Sequence, residues 1–115
     1  MSAARKNLEQ GCEAYEKGNF AAAVQYFRSA ARLGNPEAQV NLGNMYDAGE
    51  GVEADFKRAA HYYKLAASKG VPEAAYNLAV AYKQRGMPFW GAFWLRRAGE
   101  LGDEDATAEL NGGQR

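Results

Sequence analysis

"PEAQVNLGNMY", Pro36 to Tyr46, returns as "PEAAYNLAVAY", Pro72 to Tyr82, with Pro-Glu-Ala, Asn-Leu and Tyr in step. From Pro36 to Pro72 is an interval of thirty-six residues. A period of that size marks stacked supersecondary units. A second comparison extends the series: "FAAAVQYFRSAARLG" from Phe20, "FKRAAHYYKLAASKG" from Phe56 and "PFWGAFWLRRAGELG" from Pro88 align on their small residues and their closing Gly. The chain therefore contains three units.

Each unit reads as two helices. Pro36 and Pro72 suit a first helical turn, where a missing N–H is not needed, and Gly18, Gly34, Gly49, Gly70, Gly86 and Gly102 follow the periodic segments where a left-handed stop is wanted. Between these marks the apolar spacing is helical: Ala38, Leu42, Met45 and Tyr46 on one helix, then Phe56, Ala59, Ala60, Tyr63, Ala66 and Ala67 on the next. No segment alternates like a strand. The expected architecture is all-α, with units at about 3–35, 36–71 and 72–102, a capping helix over 103–110 from "DEDATAEL", and a disordered tail at 111–115.

Composition narrows the function. The 115 residues are 47% hydrophobic and 24% charged, enough for one globular domain with its own core. Fourteen Lys and Arg balance fourteen Asp and Glu, so the net charge supplies no field for nucleic acid or an anionic membrane, and neither is expected as a partner. A single Cys12 cannot form an internal disulfide, which fits a reducing compartment. With no signal-like start and no apolar run of membrane length, a cytoplasmic location is expected.

"GEGVEAD", Gly49 to Asp55, fits the glycine pattern of a dinucleotide-binding turn. That pattern works only after a buried strand, where the following helix offers free N–H groups to a pyrophosphate. Here it follows the helix ending "NMYDA", so Gly49 and Gly51 read as a helix stop and a turn, with Asp55 capping the next helix. Asp47, Glu50, Glu53 and Asp55 miss the calcium-loop spacing and read as a solvated acidic loop. No metal or cofactor is expected.

The residues "AQVNLGNMYDAGEGVEADFKRAAHYYKLAASKG" resemble a complete Sel-like repeat, with its Leu-Gly, Tyr, G-x-G-V, Asp, aromatic pair and Ala-Ala-x-x-Gly in order. "GCEAYEKGNFAAAVQYFRSA" is similar to the related tetratricopeptide repeat. Two departures stand out. The third unit has four residues fewer between its helices and carries Ala79 where the pattern has Gly; the first carries Gln10 where the pattern has Leu. The resemblance implies a right-handed α/α superhelix whose first helices line a concave face and second helices a convex back. It also implies a non-catalytic adaptor for other proteins. Stacking of about three units is what such a fold needs, because one helix pair cannot cover its own apolar face.

Beyond the core stripe, each first helix carries a second row: Leu8 and Cys12, Val40 and Asn44, Tyr76 and Val80, each pair four residues apart. By resemblance to tetratricopeptide domains these face the groove and contact a peptide or helix of a partner. Asn41 and Asn77 stand beside them and can serve both donor and acceptor of an extended guest, or else brace the neighbouring helix. Asp47 and Lys83 sit at the groove margins, with Glu37 and Glu73 at the helix starts, and would orient a guest. The family's clamp for acidic tails is not reproduced, since Leu8, Glu73 and Asn77 stand where its bases would be.

A second surface is flagged in "PFWGAFWLRR": Phe89, Trp90 and Phe93 replace Lys57, Arg58 and His61 of the middle unit. Either the shortened loop rolls this helix and the cap covers the three rings, or they form an exposed patch for self-association, giving a homodimer, or for docking. Trp94 corresponds to Tyr62 and Tyr26 and reads as ordinary packing. An enzyme would need a pocket gathering His61 or Cys12 with acids, and no spacing in the sequence suggests such a relay.

Overall fold

The computed structural model describes residues 2–112. They form seven helices in a row: α1 (Ala3–Glu16), α2 (Phe20–Arg32), α3 (Pro36–Ala48), α4 (Phe56–Ser68), α5 (Pro72–Gln84), α6 (Pro88–Glu100) and α7 (Glu104–Gly112). Among the described residues there is no strand, and no helix is long and apolar enough to cross a membrane. Local chemistry sets the starts: the side chains of Ser2, Asn19, Asn35 and Asp55 each accept a backbone N–H from the first turn they precede. Gly49 closes α3 at φ 72°, in the left-handed region. A Cβ on Gly51 would stand 2.5 Å from the Phe20 carbonyl oxygen, so this glycine lets the α3–α4 loop lie against the start of α2.

Helices pair in sequence, α1 with α2, α3 with α4, α5 with α6, and each pair stacks on the next through α2–α3 and α4–α5, with α7 on α6. In the second and third units the first helices come closer than the second: α3 touches α5 directly, whereas α4 and α6 stand further apart. The stack therefore curves with α1, α3 and α5 inside. It measures 45 × 29 × 21 Å with a radius of gyration of 14.5 Å, longer than the roughly 13 Å of a compact domain near this size. The last helix runs two residues beyond the cap expected at 103–110, because Asn111 and Gly112 continue its turn. The rest of the expected tail lies outside the described residues.

Two apolar clusters hold the stack. One gathers Leu8, Val24, Phe27, Leu42, Met45, Tyr46 and Tyr63 with alanines of the first two units; the other gathers Val40, Ala66, Ala74, Ala79, Leu95, Ala98 and Ala106. Trp94 packs against both. A repeated contact sets the spacing within each unit. A Cβ on Gly11 would meet the Phe27 ring at 2.6 Å, and one on Gly43 the Tyr63 ring at 2.7 Å. In the third unit the ring's counterpart is Leu95, which shares its cluster with Ala79. The loss of glycine at Ala79 is thus matched by loss of the ring it would have accommodated.

Charge divides by layer. The outer helices α2, α4 and α6 carry Arg28, Arg32, Lys57, Arg58, Lys64, Arg96 and Arg97 against Glu100. The inner helices and α7 carry Arg5, Lys6 and Lys83 against Glu9, Glu13, Glu16, Glu37, Asp47, Glu73, Glu104, Asp105 and Glu109. A balanced total conceals a basic back and an acidic inner curve.

Candidate functional site

The inner face differs from the uninterrupted row expected of it. Leu8 and Val40 are buried in the two core clusters, at 2% and 4% exposure. Small residues on the outer helices draw each first helix in so closely that these positions belong to the core and cannot touch a guest. Cys12, Asn41, Asn44, Tyr76, Asn77 and Val80 are half-buried. Several of them already have partners inside the chain. Tyr63 donates its hydroxyl to Asn44 Oδ1 at 2.6 Å, and Asn77 Nδ2 donates to the same oxygen at 3.1 Å. Burial, with Asp47 nearby, pushes the Tyr63 phenol well above its ordinary range. Tyr76 donates to Glu109 Oε1 of α7 at 2.5 Å, which pushes its phenol up to about 12, and Lys83 Nζ lies 4.0 Å from Glu109 Oε2.

Asp47 is likewise engaged. Arg85 Nη2 lies 2.8 Å from its Oδ1, off the line of a hydrogen bond, and the same guanidinium donates to the Ala81 carbonyl at 3.0 Å and sits 4.2 Å above the Phe56 ring. The junction of the second and third units is therefore closed from within by amides, a phenol and an ion pair.

The first junction is different. In register, Phe27 stands for Tyr63 and Cys12 for Asn44, so the hydroxyl and the amide that close the second junction are both missing. A cavity of about 290 Å³ opens there. Phe27 and Met45 give it an apolar floor; Cys12, Asn41 and Asn44 form its walls; Tyr15, Glu16 and Glu50 form its mouth. Tyr15 donates to both carboxylate oxygens of Glu50 at 3.1 Å, fixing one side of that mouth. Three of the expected groove residues are thus brought together, and Phe27, Met45, Tyr15 and Glu50 join them unannounced. The signal for the cavity lay in two register differences, Tyr to Phe and Asn to Cys.

Chemical reactivity at this cavity is poor. Burial, then Glu37 and Glu16, hold the Cys12 thiol above its ordinary value, which disfavours the nucleophilic thiolate. His61 lies on α4, exposed on the opposite layer. Among the described residues no group of three or more His, Cys, Asp or Glu is placed to hold a metal ion.

On the outer layer, Phe89 is 72%, Trp90 43% and Phe93 47% exposed, with Met87 beside them. The cap does not cover them: α7 packs where Ala98 and Gly99 lie, and α6 buries Gly91, Leu95 and Ala98 instead. Their rings run edge to face, Phe89 to Trp90 at 5.2 Å, Trp90 to Phe93 at 5.6 Å and Phe93 to Trp94 at 5.4 Å. Trp94 is half-buried, as packing required.

Comparison with known proteins agrees with this architecture. The Sel1 repeat model matches residues 11–35, 36–71, 72–88 and 91–103. The break within the third unit falls at Phe89 and Trp90. Two solved structures are similar. One is a Sel1 repeat protein from Oxalobacter formigenes, with TM-score 0.76, 32% identity and 90% of this chain aligned to 44% of that one. The other is c5321, a protective antigen present in uropathogenic Escherichia coli strains and displaying an SLR fold, with TM-score 0.76, 37% identity and 90% of this chain aligned to 24% of that one. The chain spans less than half the length of either. No curated protein matches it. With family repeats matched over most of its length and carried by paired, stacked helices, the chain belongs to the Sel1 repeat family.

Proposed function

We propose that this chain is an interaction module that holds a segment of a partner protein against its inner layer, anchored by one side chain in the cavity between Cys12, Asn41 and Asn44. Sel1 repeat proteins are generally protein-interaction scaffolds, and the family is typically non-catalytic. The observation that carries the reading is the contrast between junctions: the second is closed by the Tyr63–Asn44–Asn77 hydrogen bonds, the first is left open over Phe27 and Met45. Asn44 Nδ2 and the Asn41 amide supply donors and acceptors at the walls, and Glu16 and Glu50 make the mouth acidic. An apolar side chain flanked by Lys or Arg suits that combination.

Selection of phage-displayed random peptides on the full chain tests this. The expected winners share one large apolar residue beside a base, and Asn41→Trp, which fills the cavity, weakens them by about tenfold or more while leaving thermal melting unchanged. Equal binding by Asn41→Trp would place the contact elsewhere.

The exposed rings of α6 support a second reading, in which Phe89, Trp90 and Phe93 mediate self-association or docking. Light scattering over a dilution series separates the two. A species that halves in mass on dilution, and is absent in Phe89→Ser/Phe93→Ser, favours the outer patch; a monomer at every concentration removes the dimer.

A further inference from the structure

Between α2 and α4, on the basic outer layer, lies an open cleft of about 570 Å³ lined by Arg28, Arg32, Lys57, Arg58 and His61 over Tyr46 and Tyr62. No carboxylate is among its lining residues. Two of its guanidiniums are held in place. Arg28 Nη2 donates to the Tyr46 hydroxyl at 2.8 Å, and Arg58 lies 5.8 Å from the centre of the Tyr46 ring. Tyr46 and Tyr62 stack at 5.9 Å with their planes 4° apart, making a flat floor. Burial raises the Tyr46 phenol, yet Arg28 and Arg58 outweigh it and hold that phenol below its ordinary value, so the local field is positive. The one acid ion-paired to this set among the described residues is Asp55, 3.4 Å from Arg58 at the rim.

Like charges gathered round one concavity repel each other, and an anion relieves that repulsion while meeting oriented donors. A single phosphate monoester carries about −1.5 to −2 charges, fewer than the roughly three positive charges that Arg28, Arg32, Lys57 and Arg58 leave after Asp55 is subtracted. Nucleic acid would need a basic track along the surface, whereas this set is confined to one cleft. We infer that the α2–α4 cleft is a binding site for a compact, multiply phosphorylated group of the inositol phosphate type, free or as a lipid headgroup.

Calorimetric titration of the full chain with inositol trisphosphate at about 0.15 M salt is the first arm, where surface charges separated by more than about 8 Å are screened. The second is co-sedimentation with phosphatidylcholine vesicles, with and without phosphatidylinositol bisphosphate. Arg32→Gln/Lys57→Gln removes two exposed cations that have no ion-pair partner among the described residues, and should weaken binding at least about tenfold with melting unchanged. Arg96→Gln/Arg97→Gln, on the same layer but outside the cleft, should bind as the parent does. Saturable binding in both arms identifies the phosphorylated ring as sufficient; binding in the vesicle arm alone, lost in the cleft variant, identifies the lipid as the source. The inference is overturned by no binding in either arm, by equal losses in both double variants, or by tighter binding of a phosphopeptide or a DNA duplex.

Discussion

Gly43 and Tyr63 occupy a position that recurs in every unit, as Gly11 with Phe27 and as Ala79 with Leu95. The pairing makes a double substitution informative. Gly43→Ala places a methyl within 2.7 Å of the Tyr63 ring and should cost about 1 to 3 kcal/mol in urea unfolding. Tyr63→Leu in the same chain, which copies the third unit, should recover part of that loss; a purely additive pair would show that ring and methyl do not meet. The Tyr63 hydroxyl can be probed separately. Tyr63→Phe copies the first unit and removes the bond to Asn44, for about 1 kcal/mol at neutral pH. Because the folded phenol is raised, the folded chain keeps a proton that the unfolded chain releases near pH ~10, so this contribution is complete below that value and declines above it. The deficit of Tyr63→Phe should accordingly shrink as the pH passes ~10, and a constant deficit would assign the shift to another group. At this scale the sequence was informative about shape and misleading about access. Leu8 and Val40 lie on the second helical stripe, but helices spaced by alanine and glycine come close enough to bury these two members of it, and no single-helix projection contains that spacing.

Among the elements, α6 and α7 carry the sharpest contrasts. Spacing alone left the rings of α6 undecided between cap and solvent. The buried stripe Gly91, Leu95 and Ala98 decides it, for a helix that turns those residues inward must present Phe89 and Phe93 outward. That stripe was in the sequence, since Gly91, Leu95 and Ala98 align with Ala59, Tyr63 and Ala66, which α4 buries in the same register. The seventh helix is held by Asp103 Oδ1 accepting the Ala106 N–H at 2.8 Å, by the burial of Ala106, and by Glu109 accepting from Tyr76. Asp103→Ala should cost about 1 kcal/mol through the cap alone. Ending the chain at Gly102 should cost more and raise binding of an apolar dye, because the second cluster then loses its cover at Ala98; unchanged dye binding would mean that α7 is dispensable to the core. Helix starts were the most legible elements, since Pro36, Pro72 and Asp55 announce them by chemistry acting within one turn.

For the molecule as a whole, two clusters joined by one shared residue make a short linear array. Such arrays unfold together only while the coupling between neighbours exceeds the difference in their own stabilities. Trp94 touches both clusters, so the parent chain should melt in one calorimetric transition and Trp94→Ala should broaden or split it; a single sharp peak in the variant would place the coupling elsewhere, for example in Lys69, whose ammonium donates to the Gly34 carbonyl at 2.7 Å and to Gln39 at 3.3 Å. The number of units and their order were legible because they rest on period. The division of charge between layers was legible only after each base and acid was assigned to a first or second helix, and the neutral total had suggested an absence of fields altogether. A rod with opposite signs along its two long sides is a permanent transverse dipole. Dissolved at about 0.15 M ionic strength it exerts little pull beyond ~8 Å, but inside that distance a charged neighbour applies a torque before any contact forms. Its collisions are thereby sorted by orientation, with anions meeting one flank and cations the other, although an electrophoretic measurement at neutral pH would find a particle that scarcely migrates.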